Sequence, residues 1–232
     1  MQMLEKYSTQ DIVSIIKPTK LTTTLLDEIK VKRPSASVKG AIWELVSLLL
    51  KAYPDALAEF RFEIQDVMFN QLLEQIRSSK PELRTIVGIL KGFSSALDIV
   101  ILDESQIEKF YTAIKIAMRP VEEGRSQSVL KAAAKLLTAR TQVFETLIIK
   151  DAIPLSEEVL KLCTHQNLDV REAANSLLEE LTRCFSKGLK EGKAHKDIFS
   201  YLIKRYHAII ELPAKFLSPL VVTVTRTSIL LF

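Results

Sequence analysis

An all-α fold, a right-handed α-solenoid of paired antiparallel helices, is predicted by three observations. Apolar residues recur at i, i+3, i+4, i+7 from near the start to about residue 211. No stretch before residue 211 shows the period-two alternation of a half-buried strand. Four of the helices so marked stand in register at intervals of 45, 46 and 41 residues. The composition agrees. The 232 residues are 47% hydrophobic and 26% charged with only 6 Gly and 8 Pro, enough apolar matter for a core and few turn formers.

Taken in order, Ser35 and Ser37 precede VKGAIWELVSLLLKAY (38–53), in which Val38, Ala41, Ile42, Leu45, Leu48 and Leu49 keep helical spacing. Pro54 ends it, because proline lacks the N–H and restricts its predecessor. FEIQDVMFNQLLEQIRSS (62–79) gathers Ile64, Val67, Met68, Leu72, Leu73 and Ile76 on one side. Ser78, Ser79 and Pro81 form a turn, with Pro81 at a first helical position before ELRTIVGILKGFSSALDIV (82–100). Asp103 caps ESQIEKFYTAIKIAMR (104–119), closed by Pro120. After the 122–126 loop come SVLKAAAKLLTAR (128–140) and a shorter apolar stretch, VFETLIIKDAI (143–153). LSEEVLKLCTH (155–165) follows Pro154, and NLDVREAANSLLEEL (167–181) follows a Gln-Asn turn. KGLKEGK (187–193) reads as a basic, glycine-bearing loop, and HKDIFSYLIKRYHAIIEL (195–212) as the last clear helix.

The register rests on Val38, Leu83, Val129 and Val170. Three residues on stand Ala41, Ile86, Ala132 and Ala173, and seven on Leu45, Leu90, Leu136 and Leu177, a stripe expected to be buried. Each anchor follows a capping or acidic residue: Ser37, Glu82, Ser128 or Asp169. A two-helix repeat of roughly 40 to 47 residues has the HEAT or armadillo period. Asp-Val-Arg-x-x-Ala at 169–174 resembles the start of a HEAT second helix, with Asp169 placed to cap and Ala173 and Ala174 small enough for close approach. Roughly four to five such pairs would cover one another's apolar faces.

Residues 1–211 form this array. Residues 212–232, LPAKFLSPLVVTVTRTSILLF, form an atypical hydrophobic tail with two prolines, no acid and a β-branched run. An array ending there lacks a polar cap, so the chain reads as a piece of a larger solenoid whose tail comes from truncation or an alternative gene model.

Residues for catalysis or cofactor chemistry do not converge in this sequence. His165 lies two residues from Cys163, but no third or fourth ligand stands at a fitting spacing, and His195 and His207 stand alone. The two cysteines, Cys163 and Cys184, fit a reduced interior rather than a disulfide framework, with Cys184 on an apolar side. The carboxylate pairs 27–28, 122–123, 157–158 and 179–180 read as solvated surface. Phosphate-loop, nucleophile-elbow and HExxH motifs are missing, and Gly88 and Gly92 fit close helix packing. The expectation is no catalytic, cofactor or metal site, no small-molecule substrate, and no membrane span or signal peptide.

Charge is uneven although the net is only +4. Residues 183–211 carry seven Lys or Arg against three acids, whereas 141–182 carry eight acids against three bases. Lys187, Lys190, Lys193, Lys196, Lys204 and Arg205 are therefore the candidate contacts to DNA phosphates. KVKRP (30–34) adds a smaller basic patch that looks like a nuclear import signal.

The order of local features extends the reading. KPTKLTTTLLDEI, WELVSLLLKAYPD, LKGFSSAL, IKIAMRP, LKLCTHQNLDVREAANSLLEEL and KDIFSYLIKRYHAII occur in this order across roughly residues 17–211. Together they resemble the N-terminal helical region of the DNA-dependent protein kinase catalytic subunit family, within the phosphatidylinositol-3-kinase-related kinases. Residues after 211 depart from that pattern. The resemblance implies a non-catalytic scaffold segment of a nuclear serine/threonine kinase. It implies action in double-strand-break repair by non-homologous end joining, with the Ku heterodimer, double-stranded DNA ends and the remainder of a parent solenoid as partners. The kinase domain of such a parent is absent from this chain, and no catalytic residue is carried over. The alternative is a HEAT or armadillo protein-interaction scaffold of the transport-receptor or phosphatase-regulatory type, which shares the fold and differs in partner.

Overall fold

The computed structural model describes residues 17–31, 34–95, 102–119, 127–194, 197–198, 200–201 and 204–205. These residues form helices and turns and contain no strand. The fold is all-α and of the helical-repeat class. The chain divides into two compact units, residues 1–98 and 99–232.

In the first unit, α1 (Pro18–Val31), α2 (Ala36–Ala52), α3 (Arg61–Arg77) and α4 (Leu83–Ser95) alternate as two helix pairs. Pro18 opens α1, where its missing N–H costs nothing. Pro81 lies two residues ahead of α4 rather than at its first position, and the Glu82 carbonyl accepts the first helical bond, from the Ile86 N–H. Trp43 on α2 is fully buried and donates its indole N–H to Gln71 on α3 at 2.9 Å.

The α2–α4 contact is unusually intimate. Gly40 lies against the Arg84 backbone, Gly88 against Gly40 and Trp43, and Gly92 against Ser47. These positions rise together along both helices, so α2 and α4 run parallel. A Cβ on Gly88 would stand 2.6 Å from the Gly40 carbonyl oxygen, closer than real side chains approach. Glycine here is a packing requirement that overrides its roughly 1 kcal/mol helix penalty.

This contact corrects the predicted stripe. Leu90, Leu136 and Leu177 are fully buried, but Leu45 is 39% and Val38 45% exposed, and Ala41 is exposed too. Because α2 turns Gly40, Trp43 and Ser47 toward α4, its interior is Ile42, Trp43, Val46, Leu49 and Leu50, and the 38–41–45 row faces outward.

The second unit contains α5 (Glu104–Met118), α6 (Gln127–Ala139), α7 (Glu145–Lys150), α8 (Ala152–Cys163) and α9 (Leu168–Lys190). Asp103 closes a full capping box: its carboxylate accepts the Gln106 N–H at 2.8 Å, and the Gln106 side chain accepts the Asp103 N–H at 3.0 Å. Phe144, fully buried, packs its ring 6.0 Å from Phe110 and 5.7 Å from Tyr111. The helix expected to follow Pro154 starts two residues before it, since a proline in the first turn forfeits no helical hydrogen bond.

Both ends of α9 also differ from expectation. The cap is Asn167, whose side-chain oxygen accepts the Val170 N–H at 3.1 Å, while Asp169 turns outward to pair with Lys131 of α6. At the other end the helix runs on through Lys190, so only residues 191–193 remain of the predicted 187–193 loop. Gly192, at φ +71°, ends it: Lys193 N–H donates to the Gly188 carbonyl at 2.7 Å and Gly192 N–H to that of Leu189 at 3.1 Å, a Schellman motif.

Candidate nucleic-acid interface

Helix α9 and the residues after it hold the basic stretch marked by the sequence. Lys187 and Lys190 occupy the last turn of α9, Lys193 follows the Gly192 turn, and all three are exposed. Lys204 and Arg205 are exposed helical residues beyond, and Lys196 lies outside the described residues.

Three of the five described candidates are bound to carboxylates. Lys187 Nζ donates to Glu145 of α7 at 2.9 Å, with Glu191 at 4.0 Å. Lys193 Nζ donates to Glu191 at 2.6 Å. Arg205 grips Glu157 of α8 with two bonds, Nε at 2.8 Å and Nη2 at 2.9 Å. The Lys187 ammonium is held above the usual lysine range, first by its hydrogen bond to Glu145 and then by that carboxylate's charge. Glu191 is held below the usual carboxylate range, chiefly by the hydrogen bond from Lys193. Lys190 and Lys204 stand outside these pairs. The carboxylates paired with Lys187, Lys193 and Arg205 offset part of the positive charge that the residue count suggests.

The groove beside this stretch, about 930 Å³, is lined by Glu145, Ile149, Lys150, Ile153, Lys193 and Asp197 among others. It sets one charge sign against the other and assembles no convergent acid–base pair.

Other candidates resolve into structural roles. The His165 Nδ1 accepts the Asn167 N–H at 3.0 Å, and Arg171 donates to the carbonyls of His165 and Gln166 at 2.8 and 2.9 Å. The Arg of the Asp-Val-Arg motif thus staples the turn before its own helix. Cys163 is fully buried, and burial pushes its thiol up to about 12. Cys184 is raised to about 11, first by burial and then by Glu145. Both behave as small hydrophobes. No group of three or more metal-ligating side chains occurs among the described residues, and no described helix is long and apolar enough to cross a membrane.

The carboxylate pairs expected to be solvated are more engaged than that: Glu158 takes Arg119 at 3.1 Å, Glu157 takes Arg205, and Glu180 takes Arg183 at 3.0 Å. The pair at 122–123 lies outside the described residues.

Two features escaped the sequence reading. One is a rim of pairs between successive repeats: Lys39–Glu82 at 3.0 Å and Lys91–Glu44 at 2.6 Å in the first unit, Lys131–Asp169 at 2.5 Å in the second. Acid and base recur about one repeat apart, a signal visible only once the period is known. The other is a cluster in which Asp151, between α7 and α8, accepts Lys115 at 2.5 Å and the Tyr111 hydroxyl at 3.2 Å. The Tyr111 phenol is raised well above its usual range, by burial first and Asp151 second, and stays protonated as the donor that ties α5 to this corner.

Helix pairs, joined by the glycine contacts of α2 and α4 and rimmed by ion pairs between repeats, define a helical-repeat segment. The chain belongs to the DNA-PKcs N-terminal family, whose pattern matches residues 1–223. The match runs past residue 211, where the sequence reading set a tail apart. Curated relatives include the DNA-dependent protein kinase catalytic subunits of Mus musculus (27% identical over 213 residues, covering 82% of this chain and 5% of the relative) and Canis lupus familiaris (27% over 182 residues, 75% and 4%). That of Dictyostelium discoideum is 20% identical over 200 residues, covering 82% of this chain and 5% of its own. The chain thus spans about a twentieth of the length of these relatives, and the part matched is the N-terminal, non-kinase region.

Proposed function

We propose that this chain is a non-catalytic scaffold segment of a DNA-dependent protein kinase catalytic subunit-like protein. It acts in the nucleus in double-strand-break repair by non-homologous end joining, contacting DNA ends and the Ku heterodimer. The observation that carries this reading is the family match across residues 1–223 on a helical-repeat fold. A scaffold role also agrees with the side-chain chemistry, since the polar clusters of the second unit tie helices together rather than converge on a cleft. Detectable phosphoryl transfer from ATP by the purified chain would overturn the non-catalytic part.

The surface proposed for DNA is the end of α9 and the residues beyond it, with Lys190 and Lys204 as the principal contacts and Lys187, Lys193, Lys196 and Arg205 as secondary ones. Binding there is sequence-independent and salt-sensitive, because each neutralised phosphate releases counterions. The test is affinity for a blunt duplex across a salt series. Replacing both Lys190 and Lys204 with Gln should lower the magnitude of the log–log salt slope by about 0.9 per lost phosphate contact, with helicity unchanged. Ku association is read separately, by pull-down with purified Ku heterodimer.

One observation favours a second reading, a protein-interaction scaffold that does not touch DNA. Lys187 and Lys190 sit in the last turn of α9, where cations complement the helix dipole and a phosphate is repelled by it. An unchanged salt slope in the double variant selects this reading.

A further inference from the structure

The carboxylates that meet the basic stretch sit in different surroundings. The Glu145 side chain of α7 is sheltered, only 19% exposed. Its Oε1 is buried without a hydrogen-bond partner, and its Oε2 accepts from the Lys187 ammonium at 2.9 Å. That ammonium is what offsets the carboxylate's charge. The Glu157 side chain of α8, 28% exposed, takes both arms of the Arg205 guanidinium, at 2.8 and 2.9 Å. Glu191 differs: it is exposed, and its partner Lys193 lies two residues away in the same turn.

Burial decides which of these pairs hold. An ion pair between exposed side chains is screened and contributes little. A sheltered carboxylate that loses its cation keeps a partly desolvated charge with nothing to offset it. Lys193 can therefore leave Glu191 at small cost, whereas Lys187 and Arg205 leave Glu145 and Glu157 only by stranding a sheltered charge. For a polyanion the difference matters, because a base offered to a phosphate must first be withdrawn from its carboxylate. Both occupied bases stand beside the principal candidates. Lys187 precedes Lys190 by three residues on α9, so the two share one side of the helix, and Arg205 directly follows Lys204.

We propose that Glu145 and Glu157 form an internal charge lock on the candidate DNA surface, occupying Lys187 and Arg205 in the free chain and competing with phosphate for them. The proposal rests on the DNA-contact reading above and adds regulation to it. The lock holds the surface at part of its charge, and a cation presented to either glutamate by a partner would release a base for the duplex.

The test is the affinity of the full chain for a blunt duplex across a salt series. Glu145→Gln with Glu157→Gln should raise the magnitude of the log–log salt slope by about 0.9 for each base released. Glu108→Gln with Glu172→Gln is the control, since both residues are exposed and neither is paired with a base among the described residues. It removes the same formal charge and should leave the slope at the wild-type value. Lys187→Gln gives a second reading that does not depend on the glutamate variants folding. With Lys187 already occupied, that change in the otherwise wild-type chain should barely move the slope, and in the Glu145→Gln chain it should cancel the gain. A loss of the full increment of about 0.9 from Lys187→Gln alone overturns the lock. Lys190→Gln with Lys204→Gln separates the lock from the reading beneath it. If that pair lowers the slope while the glutamate pair matches its control, the surface binds DNA and the lock is overturned. If that pair leaves the slope unchanged, the DNA reading fails and the lock fails with it.

Discussion

Single residues carry the sharpest consequences of the glycine-lined contact between α2 and α4. Gly88→Ala should gain about 1 kcal/mol of helix propensity, but its methyl meets the Gly40 backbone oxygen at 2.6 Å, and backbone cannot rotate away. The steric term wins, so the variant should lose about 1–3 kcal/mol in urea unfolding. Leu177→Ala should lose about 2–5 kcal/mol from a fully buried site. Leu45→Ala should cost clearly less than Leu177→Ala, because 39% of the Leu45 residue is exposed whereas Leu177 is fully buried. Similar losses at 45 and 177 would mean Leu45 is covered in solution. The thiol of Cys163 makes a pH prediction. Its folded value, about 12, is raised above the unfolded one, about 8.5. Its contribution is therefore fully present below the unfolded value and lost as pH rises toward 12. Cys163→Ala should flatten the fall in stability between about pH 9 and 12, whatever its effect at neutral pH. An unchanged alkaline slope would show that Cys163 does not titrate with unfolding.

Elements were legible where their signals are local, and misplaced where a tertiary contact decides. Asp103 was readable as a cap because its capping box lies within four residues. Gly188 reads as a breaker in KGLKEGK, yet it is buried inside α9, where a Cβ would stand 2.7 Å from Ile149 of α7. Packing across 39 positions in the chain set that helix end. Asp169 matched a capping pattern, but Asn167 holds the capping geometry and Asp169 gained Lys131 from the previous repeat. The candidate interface fared likewise. Its basic residues were countable in the sequence, but the carboxylates that engage Lys187 and Arg205 lie 42 and 48 residues away. For α9, Asn167→Ala should cost about 0.5–2 kcal/mol and Gly192→Ala about 1–2 kcal/mol, the latter because Gly192 must hold positive φ. Retained stability in Gly192→Ala would mean the helix end can close another way.

At the scale of the whole chain, a repeat array differs from a globule in how stress spreads. Each helix packs on its sequence and stacking neighbours, so stability is approximately a sum of local terms and nearest-neighbour contacts. A defect in one repeat should be felt weakly several repeats away. The chain offers a natural reporter, because its single tryptophan, Trp43, is buried in the first unit and hydrogen-bonded to Gln71. Tryptophan fluorescence therefore follows the first unit, while far-ultraviolet circular dichroism follows every helix. Leu177 is buried in the second unit. In Leu177→Ala the dichroism-detected urea midpoint should fall clearly and the fluorescence-detected midpoint should fall much less, splitting two curves that a two-state protein keeps together. Gly88→Ala should do the reverse and move the fluorescence curve most. If both probes shift together in both variants, the chain unfolds as one cooperative body, and the nearest-neighbour description of its stability fails.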